Sequence, residues 1–300
     1  MDVLKPNRGG IGLTGLDEVI RSIRNPIGTE KLDQIIGGGE KVVIITSDIT
    51  RPVPSYIIIP PILDELYKIG VKKEDITVVF ALGSHRPHTE QEMIELVGER
   101  VFREVKCIDS DANDCIRMGI TKGGTPVDIF RTVAEADRRI CVGNIEYHYF
   151  AGYSGGSKAI MPGVSTPAAI QANHKMMVLE DARVGKLEGN PIRDDLNEAI
   201  QYCPIDFIVN VILNEKKEII YSVAGDFINA HKVGCDFLDK IYKKRLKEKA
   251  DIIIVSQGGF PKDINLYQTQ KALENAKYAI KDGGIIVLVG ACSEGQLLGG

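Results

Sequence analysis

The chain has 300 residues, 44% of them hydrophobic and 26% charged, with a formal net charge of −4. A chain of this length can bury more than one core, so two domains or one large α/β domain are expected. The acidic balance leaves no footprint for nucleic acid: the one cationic run, Lys243-Lys244-Arg245 to Lys249, includes Glu248 and reads as a solvated helix end.

In chain order, residues 41–46 (Lys-Val-Val-Ile-Ile-Thr) read as a buried strand, 56–69 as a helix ending at Gly70, and 76–81 as a second strand, together a β-α-β unit. Helical pattern resumes over 89–97, where Thr89-x-x-Glu92 is a capping box. Residues 139–142 form a third strand. Thr166-Pro167 supplies an N-cap and a first helical position, which predicts a helix over 167–178 that carries His174. A helix over 192–201, a strand pair at 207–213 and 218–223, and a long helix over 227–247 follow. Residues 251–256, a helix over 265–280 and residues 284–289 make a second β-α-β unit. This alternation implies an α/β fold of mainly parallel sheets covered by helices, with ligands beyond the carboxyl ends of the strands.

The longest apolar stretches, 57–63 and 285–289, are far shorter than a bilayer span, and residues 1–30 lack an apolar signal core. A cytoplasmic protein without membrane partners is expected. The six cysteines form no C-x-x-C pair, which argues against a zinc ribbon, an iron–sulfur site or a disulfide framework.

Three loops after strands concentrate polar chemistry. Ser47-Asp48-Ile49-Thr50-Arg51-Pro52 follows the first strand and Gly83-Ser84-His85-Arg86-Pro87-His88 the second. Gln257 to Asp263 follows the 251–256 strand, with Tyr267, Gln268 and Lys271 just beyond. Asp48 and Thr50 are equally well explained as turn and cap residues. Arg51 is more suggestive, because its planar fork suits a carboxylate or phosphate. Gln268 and Lys271, one helical turn apart, fit a solvated face as well as a site.

The densest stretch is 144–174, which holds His148, the run Gly152-Tyr153-Ser154-Gly155-Gly156-Ser157-Lys158, the turn Pro162-Gly163, and His174. Glycines without a Cβ let backbone approach a ligand closely and expose successive N–H groups. Gly152-x-Ser154-x-Gly156 matches a nucleophile elbow, with Asp181 and His231 following in hydrolase order, although a further turn intervenes before the helix. A P-loop fails, since Ser157-Lys158-Ala159 lacks the Gly-Lys-Ser/Thr ending. His148 and His174 lack the i, i+4 spacing of paired helical metal ligands, so an all-protein metal cage is not expected. Three readings stand on residues alone: an enzyme built on Lys158 and the histidines, a serine hydrolase using Ser154, and a non-catalytic nucleotide- or anion-binding module.

Four separated motifs carry a resemblance. Asp48-x-Thr50-Arg51-Pro52, Gly83-x-His85-Arg86, His148-x-x-x-Gly152-x-Ser154-Gly155-Gly156-x-Lys158 with Pro162-Gly163 and His174, and Tyr267-Gln268-x-x-Lys271 together resemble the nickel-pincer lactate racemase family. The similarity runs from Asp48 to Lys271. It implies a racemase or epimerase of a 2-hydroxy acid, with lactate the default, working by reversible hydride transfer from C2 to a nickel pincer nucleotide. It further implies that Lys158 carries this pyridinium-derived cofactor covalently, that His174 is a nickel ligand, and that His85 and His148 are the acid–base pair. Arg51, Gln268 and Lys271 would bind substrate, while Asp48, Ser154, Gly155, Gly156 and Tyr267 would seat the nucleotide. His88 falls outside the motif and takes a structural reading. The implied partners are a small 2-hydroxy acid and the enzymes that build the cofactor. The implied architecture is an N-terminal domain over 1–245, the start of a second α/β domain over 246–300 that ends early at Leu298-Gly299-Gly300, and a site in the interdomain cleft.

Overall fold

Runs of aliphatic residues on both faces of successive strands dictate the core. The structure, a computed structural model, describes residues 3–7, 11–260, 262–293 and 295, with only the backbone of Tyr267. Pro261 and the terminal 298–300 noted above lie outside the described residues. The described residues of Pro6–Tyr242 form one compact unit, and those of Met1–Lys5 and Lys243–Gly300 form another.

In the larger unit, β1 (Val42–Ser47), β2 (Ile76–Ala81), β3 (Lys106–Asp109), β6 (Arg138–Asn144), β9 (Phe207–Leu213) and β10 (Ile219–Gly225) form one sheet. Its order is β10-β9-β6-β1-β2-β3, parallel throughout except that β10 runs antiparallel to β9. Val43, Ile45, Val79, Cys141 and Ile208 enter one core, where the Asn229–Tyr242 and Pro191–Ala199 helices cover the sheet with Leu238, Ile241, Ile192 and Leu196. Val42, Ile44, Val78, Phe80, Ile140 and Val142 enter the other, under the Gly15–Arg24 and Ser55–Lys68 helices. Successive side chains in a strand point to opposite faces, so a strand buried on both must be apolar at every position.

From β1 the chain winds outward to β2 and β3, then crosses to the other side of β1 to place β6 and β9. The order therefore reverses between β1 and β6, and loops leaving the carboxyl ends of strands beside such a switch point form the crevice where α/β folds bind ligands. Asp48 follows β1, His85 follows β2, and Glu146 to Ser157 follow β6.

Two short hairpins decorate this frame: β4 (Cys115–Ile120) with β5 (Pro126–Phe130), and β7 (Tyr147–His148) with β8 (Gly152–Tyr153). In the smaller unit, β11 (Ala250–Ser256) pairs in parallel with β12 (Ile280–Val289). Several expected helices are shorter. The 167–178 segment is α-helical only over Pro167–His174 and tightens to a 3-10 turn over Lys175–Val178. The 227–247 helix stops at Tyr242, whose hydroxyl anchors the last turn to Leu213 O at 2.8 Å; the following Lys243-Lys244-Arg245 offers nothing to bury and would stack like charges. The 265–280 segment is two short pieces, Leu266–Thr269 and Lys271–Ala276.

Candidate active site

The loop after β1 turns sharply, with Arg51 N–H donating to Asp48 O at 3.1 Å, and this folds the Asp48 carboxylate inward until it is 3% exposed. There it meets the loop after β2. His85 Nδ1 lies 2.6 Å from Asp48 Oδ2, and Thr50 Oγ1 donates to both carboxylate oxygens at 3.0 and 3.1 Å. Burial pushes the Asp48 carboxyl up, but the His85 hydrogen bond, the charge of Arg51 and the Thr50 hydroxyl together hold it below its ordinary value. A carboxylate so held can only accept, which assigns the His85 proton to Nδ1 and leaves Nε2 as the acceptor. The His85 side chain is 34% exposed, so that nitrogen is reachable. Asp48 thus orients a histidine, a role the motif reading had not given it.

The second group of residues follows β6. The β7–β8 hairpin presents His148, whose Nδ1 accepts the Ala151 N–H at 3.3 Å, so its proton belongs on Nε2. Tyr147 and Tyr153, one on each strand, donate their hydroxyls to the same Asp239 Oδ1, both at 2.8 Å, and pin the hairpin to the Asn229–Tyr242 helix. Between the strands lies Phe150, a buried ring on which three expected site residues converge. His148 meets it edge-on at 4.5 Å between centroids, His174 edge-on at 4.7 Å, and Lys158 Nζ stands 5.8 Å above it. Nothing in the sequence singles out Phe150 from other aromatic residues.

His174 ends its helix with Nδ1 buried and without a well-formed hydrogen bond. Burial first, then the charge of Lys158, lowers its pKa to about 4 against a small opposing pull from the Ile170 backbone. A neutral imidazole with an uncommitted ring nitrogen is the form in which histidine ligates a metal. Among the described residues no cluster of three or more His, Cys, Asp or Glu side chains is arranged to hold an ion.

The Ala151–Ser157 loop between these groups is held from beneath. Arg193, 1% exposed, sends Nη1 to Gly155 O at 3.2 Å and Nη2 to Ala151 O at 3.4 Å and to Tyr153 O. His231 Nε2 donates to Ser154 O at 2.7 Å, and Gly156 N–H donates to Asn210 Oδ1 at 2.8 Å. Gly155 takes φ 75°, ψ −172°, a conformation open essentially to glycine. Gly163 closes the segment: its N–H reaches Lys158 O at 3.2 Å, and its own carbonyl accepts the Gly83 N–H at 2.9 Å, joining the loop to that of His85. Sequence reading missed Arg193, Asn210 and Asp239. Arg193 left a signal, a cation between Ile192 and Leu196 on the apolar face of its helix.

The same contacts remove the hydrolase reading. Ser154 Oγ donates to Asn144 O at 2.7 Å and accepts the Glu146 N–H at 2.9 Å, so it is spent on structure. His231 touches the Ser154 carbonyl rather than its hydroxyl, and Asp181 is paired with Lys186. Among the described residues no base is aimed at the Ser154 hydroxyl.

In the smaller unit, Gln268 Oε1 accepts from Lys271 Nζ at 2.6 Å across the junction of the two short helices, and both side chains are half-buried. The Tyr267 side chain lies outside the described residues.

The lactate racemase N-terminal domain model matches residues 1–185, and the lactate racemase C-terminal domain model matches residues 246–300. The chain belongs to the lactate racemase family. Lactate racemases of Thermoanaerobacterium thermosaccharolyticum and Lactiplantibacillus plantarum are each 38% identical to it, over 291 and 289 residues, or 95% of this chain and 68% of each relative. The solved apoprotein of the Thermoanaerobacterium thermosaccharolyticum lactate racemase matches 94% of this chain and 68% of its own, with a TM-score of 0.88 at 37% identity. A Thermotoga maritima protein of known crystal structure, at 21% identity and a TM-score of 0.68, shares the fold. This member of the lactate racemase family is an isomerase. No helix among its described residues is long and apolar enough to cross a membrane.

Proposed function

We propose that this racemase inverts C2 of a small 2-hydroxy acid, lactate by default, with a nickel pincer nucleotide carried on Lys158. The observation that supports it most is the gathering of His148, His174 and Lys158 around the Phe150 ring, in a fold that also pairs Asp48 with His85. That cofactor, when bound, supplies an electrophilic centre able to take hydride from C2. The residues present fit it. Lys158 would provide the covalent attachment, and His174, whose buried Nδ1 makes no well-formed hydrogen bond, would offer the metal a ring nitrogen. Ser154, Gly155 and Gly156 would seat the nucleotide through loop shape, since the Ser154 hydroxyl and the Gly156 N–H are already committed. Enzymes that build the cofactor would be its partners.

The protein's own task is to move the hydroxyl proton and hold the substrate still. His85 Nε2, facing away from Asp48, would take that proton, and the Asp48 carboxylate would stabilise the imidazolium that results. His148 would present Nε2–H to the oxygen of the flat 2-oxo acid on the opposite face. Racemisation needs acid–base function on both faces, which two histidines satisfy and one would not. Arg51 would hold the carboxylate through its guanidinium fork. Gln268 and Lys271 are proposed as further substrate ligands on the motif alone. Residues 1–245 and 246–300 are proposed as the two domains.

Intact-mass measurement of protein produced together with cofactor-synthesising enzymes tests the attachment. Wild type should carry a covalent increment that Lys158→Ala lacks while folding normally. An increment that survives the substitution would overturn the assignment.

A further inference from the structure

We propose that His88, which the family motif passes over, is a positioning residue that clamps the Asp48–His85 pair. Its side chain is completely buried, and each polar atom has one partner. Nδ1 lies 2.6 Å from Asp109 Oδ1, the backbone N–H of His88 donates to Asp109 Oδ2 at 2.8 Å, and Nε2 accepts the backbone N–H of Ile49 at 3.0 Å. The ring packs at 5.2 Å from that of Phe80 on β2. Nε2 can accept only when it bears no proton, so these contacts select the neutral ring with hydrogen on Nδ1.

The placement of the partners gives that tautomer its purpose. Ile49 adjoins Asp48, His88 is three residues beyond His85, and Asp109 ends β3, so one imidazole ties together the chain ends of three neighbouring strands. Leu82 N–H donating to Ser110 Oγ at 3.1 Å repeats the tie between the second and third. The Asp48–His85 hydrogen bond joins residues 37 apart in sequence, and its alignment depends on the two loops keeping their relative position. Hydrogen bonds weaken steeply with misalignment, and a shift of about 1 Å in a reacting group costs on the order of 10²-fold in rate. The clamp holds the loop at the N–H next to the carboxylate that matters.

This inference rests on His85 as an acid–base group, and two isosteric variants separate its parts. His88→Asn keeps a donor where Nδ1 was, toward Asp109, and loses the acceptor for Ile49. His88→Gln keeps an acceptor where Nε2 was and loses the donor toward Asp109. The readouts are the downfield imidazole N–H proton of His85 in the cofactor-free protein, assigned with His85→Gln, and kcat and KM of the loaded enzyme. His88→Asn should broaden or abolish that resonance and lower kcat about 10-fold or more with KM within about 2-fold, while His88→Gln keeps both close to wild type. Equal impairment of the two variants in proportion to lost thermal stability would overturn the proposal, as would an unchanged His85 resonance in His88→Asn. Nitrogen NMR of the wild type gives an answer without any variant: His88 carrying its proton on Nε2, or on both nitrogens, at neutral pH would also overturn it. If the resonance responds as expected but His85→Ala still racemises, the clamp stands and the catalytic reading of His85 falls.

Discussion

Asp48 sets which way the His85 proton points, and this choice decides whether Nε2 can act as a base. An amide at position 48 could offer an N–H to Nδ1 and so stabilise the wrong tautomer with little change in shape. Asp48→Asn is therefore expected to fold as wild type does yet lose about 10²- to 10⁴-fold in kcat, checked by steady-state racemisation alongside circular dichroism. Buried histidines carry a second consequence. Burial, then the Arg193 charge, depresses His231 to a pKa of about 3 despite its bond to Ser154 O, and His174 is depressed to about 4. Both are neutral in the folded protein from neutral pH down to those values, whereas in the unfolded chain they gain protons below about 6.5. Their stabilisation is full above pH 6.5 and is lost as pH falls through the folded values, on the order of 5 kcal/mol for His231 alone. Urea midpoints should decline across this window. His231→Gln, which keeps a donor for Ser154 O without titrating, should flatten the decline. A slope unchanged in that variant would remove His231 as its source.

At the scale of elements, the cofactor loop is shaped by contacts to its carbonyls, and the hairpin that carries His148 is tied to the Asn229–Tyr242 helix by the Asp239 carboxylate. A Cβ at Gly155 would both occupy a glycine-only conformation and approach Asn210 Oδ1 to 2.7 Å. Gly155→Ala should lower stability by about 1–3 kcal/mol in denaturant melts and reduce cofactor attachment, because the strain falls within the loop that ends at Lys158. Asp239→Ala would take the acceptor from the half-buried Tyr147 hydroxyl and leave Tyr153 only Gly185 O at 3.2 Å, at a cost of about 1–3 kcal/mol, and loosen the hairpin. Racemisation should then fall more than the fraction folded does, since His148 sits on that hairpin. The strands β1, β2, β6, β9, β11 and β12 were legible because short runs made mostly of apolar residues have few other uses. The capping box at Thr89 and the Thr166-Pro167 start read equally clearly, since those residue types name their own backbone partners. The helix at Gly15–Arg24, strand β3 and the two hairpins were not read, being short and half-polar. The inward cation Arg193 and the shared carboxylate Asp239 stayed hidden because their roles depend on residues 36 to 92 positions away.

Over the whole molecule, a sheet covered on both faces leaves its strand ends as the place for chemistry, and the reversal of strand order between β1 and β6 says which ends. Asp48, His85 and His148 all leave strands at or next to that reversal, so the catalytic proposal and the topology point to the same place by independent routes. The motifs spread from Asp48 to Lys271 were enough to reach the family, which the domain matches over 1–185 and 246–300 then showed. Tautomers, by contrast, exist only in the folded arrangement, and they are what turn a list of histidines into a mechanism. The central claim is that this chain inverts a 2-hydroxy acid by moving the hydroxyl proton through histidines while the C2 hydrogen stays shielded from water. Enantiopure lactate deuterated at C2, given to the cofactor-loaded protein and followed by chiral separation with mass detection, tests it most directly. Both enantiomers should form with most of the deuterium retained, and failure to invert, or complete exchange of the label with water at early turnover, would contradict the account.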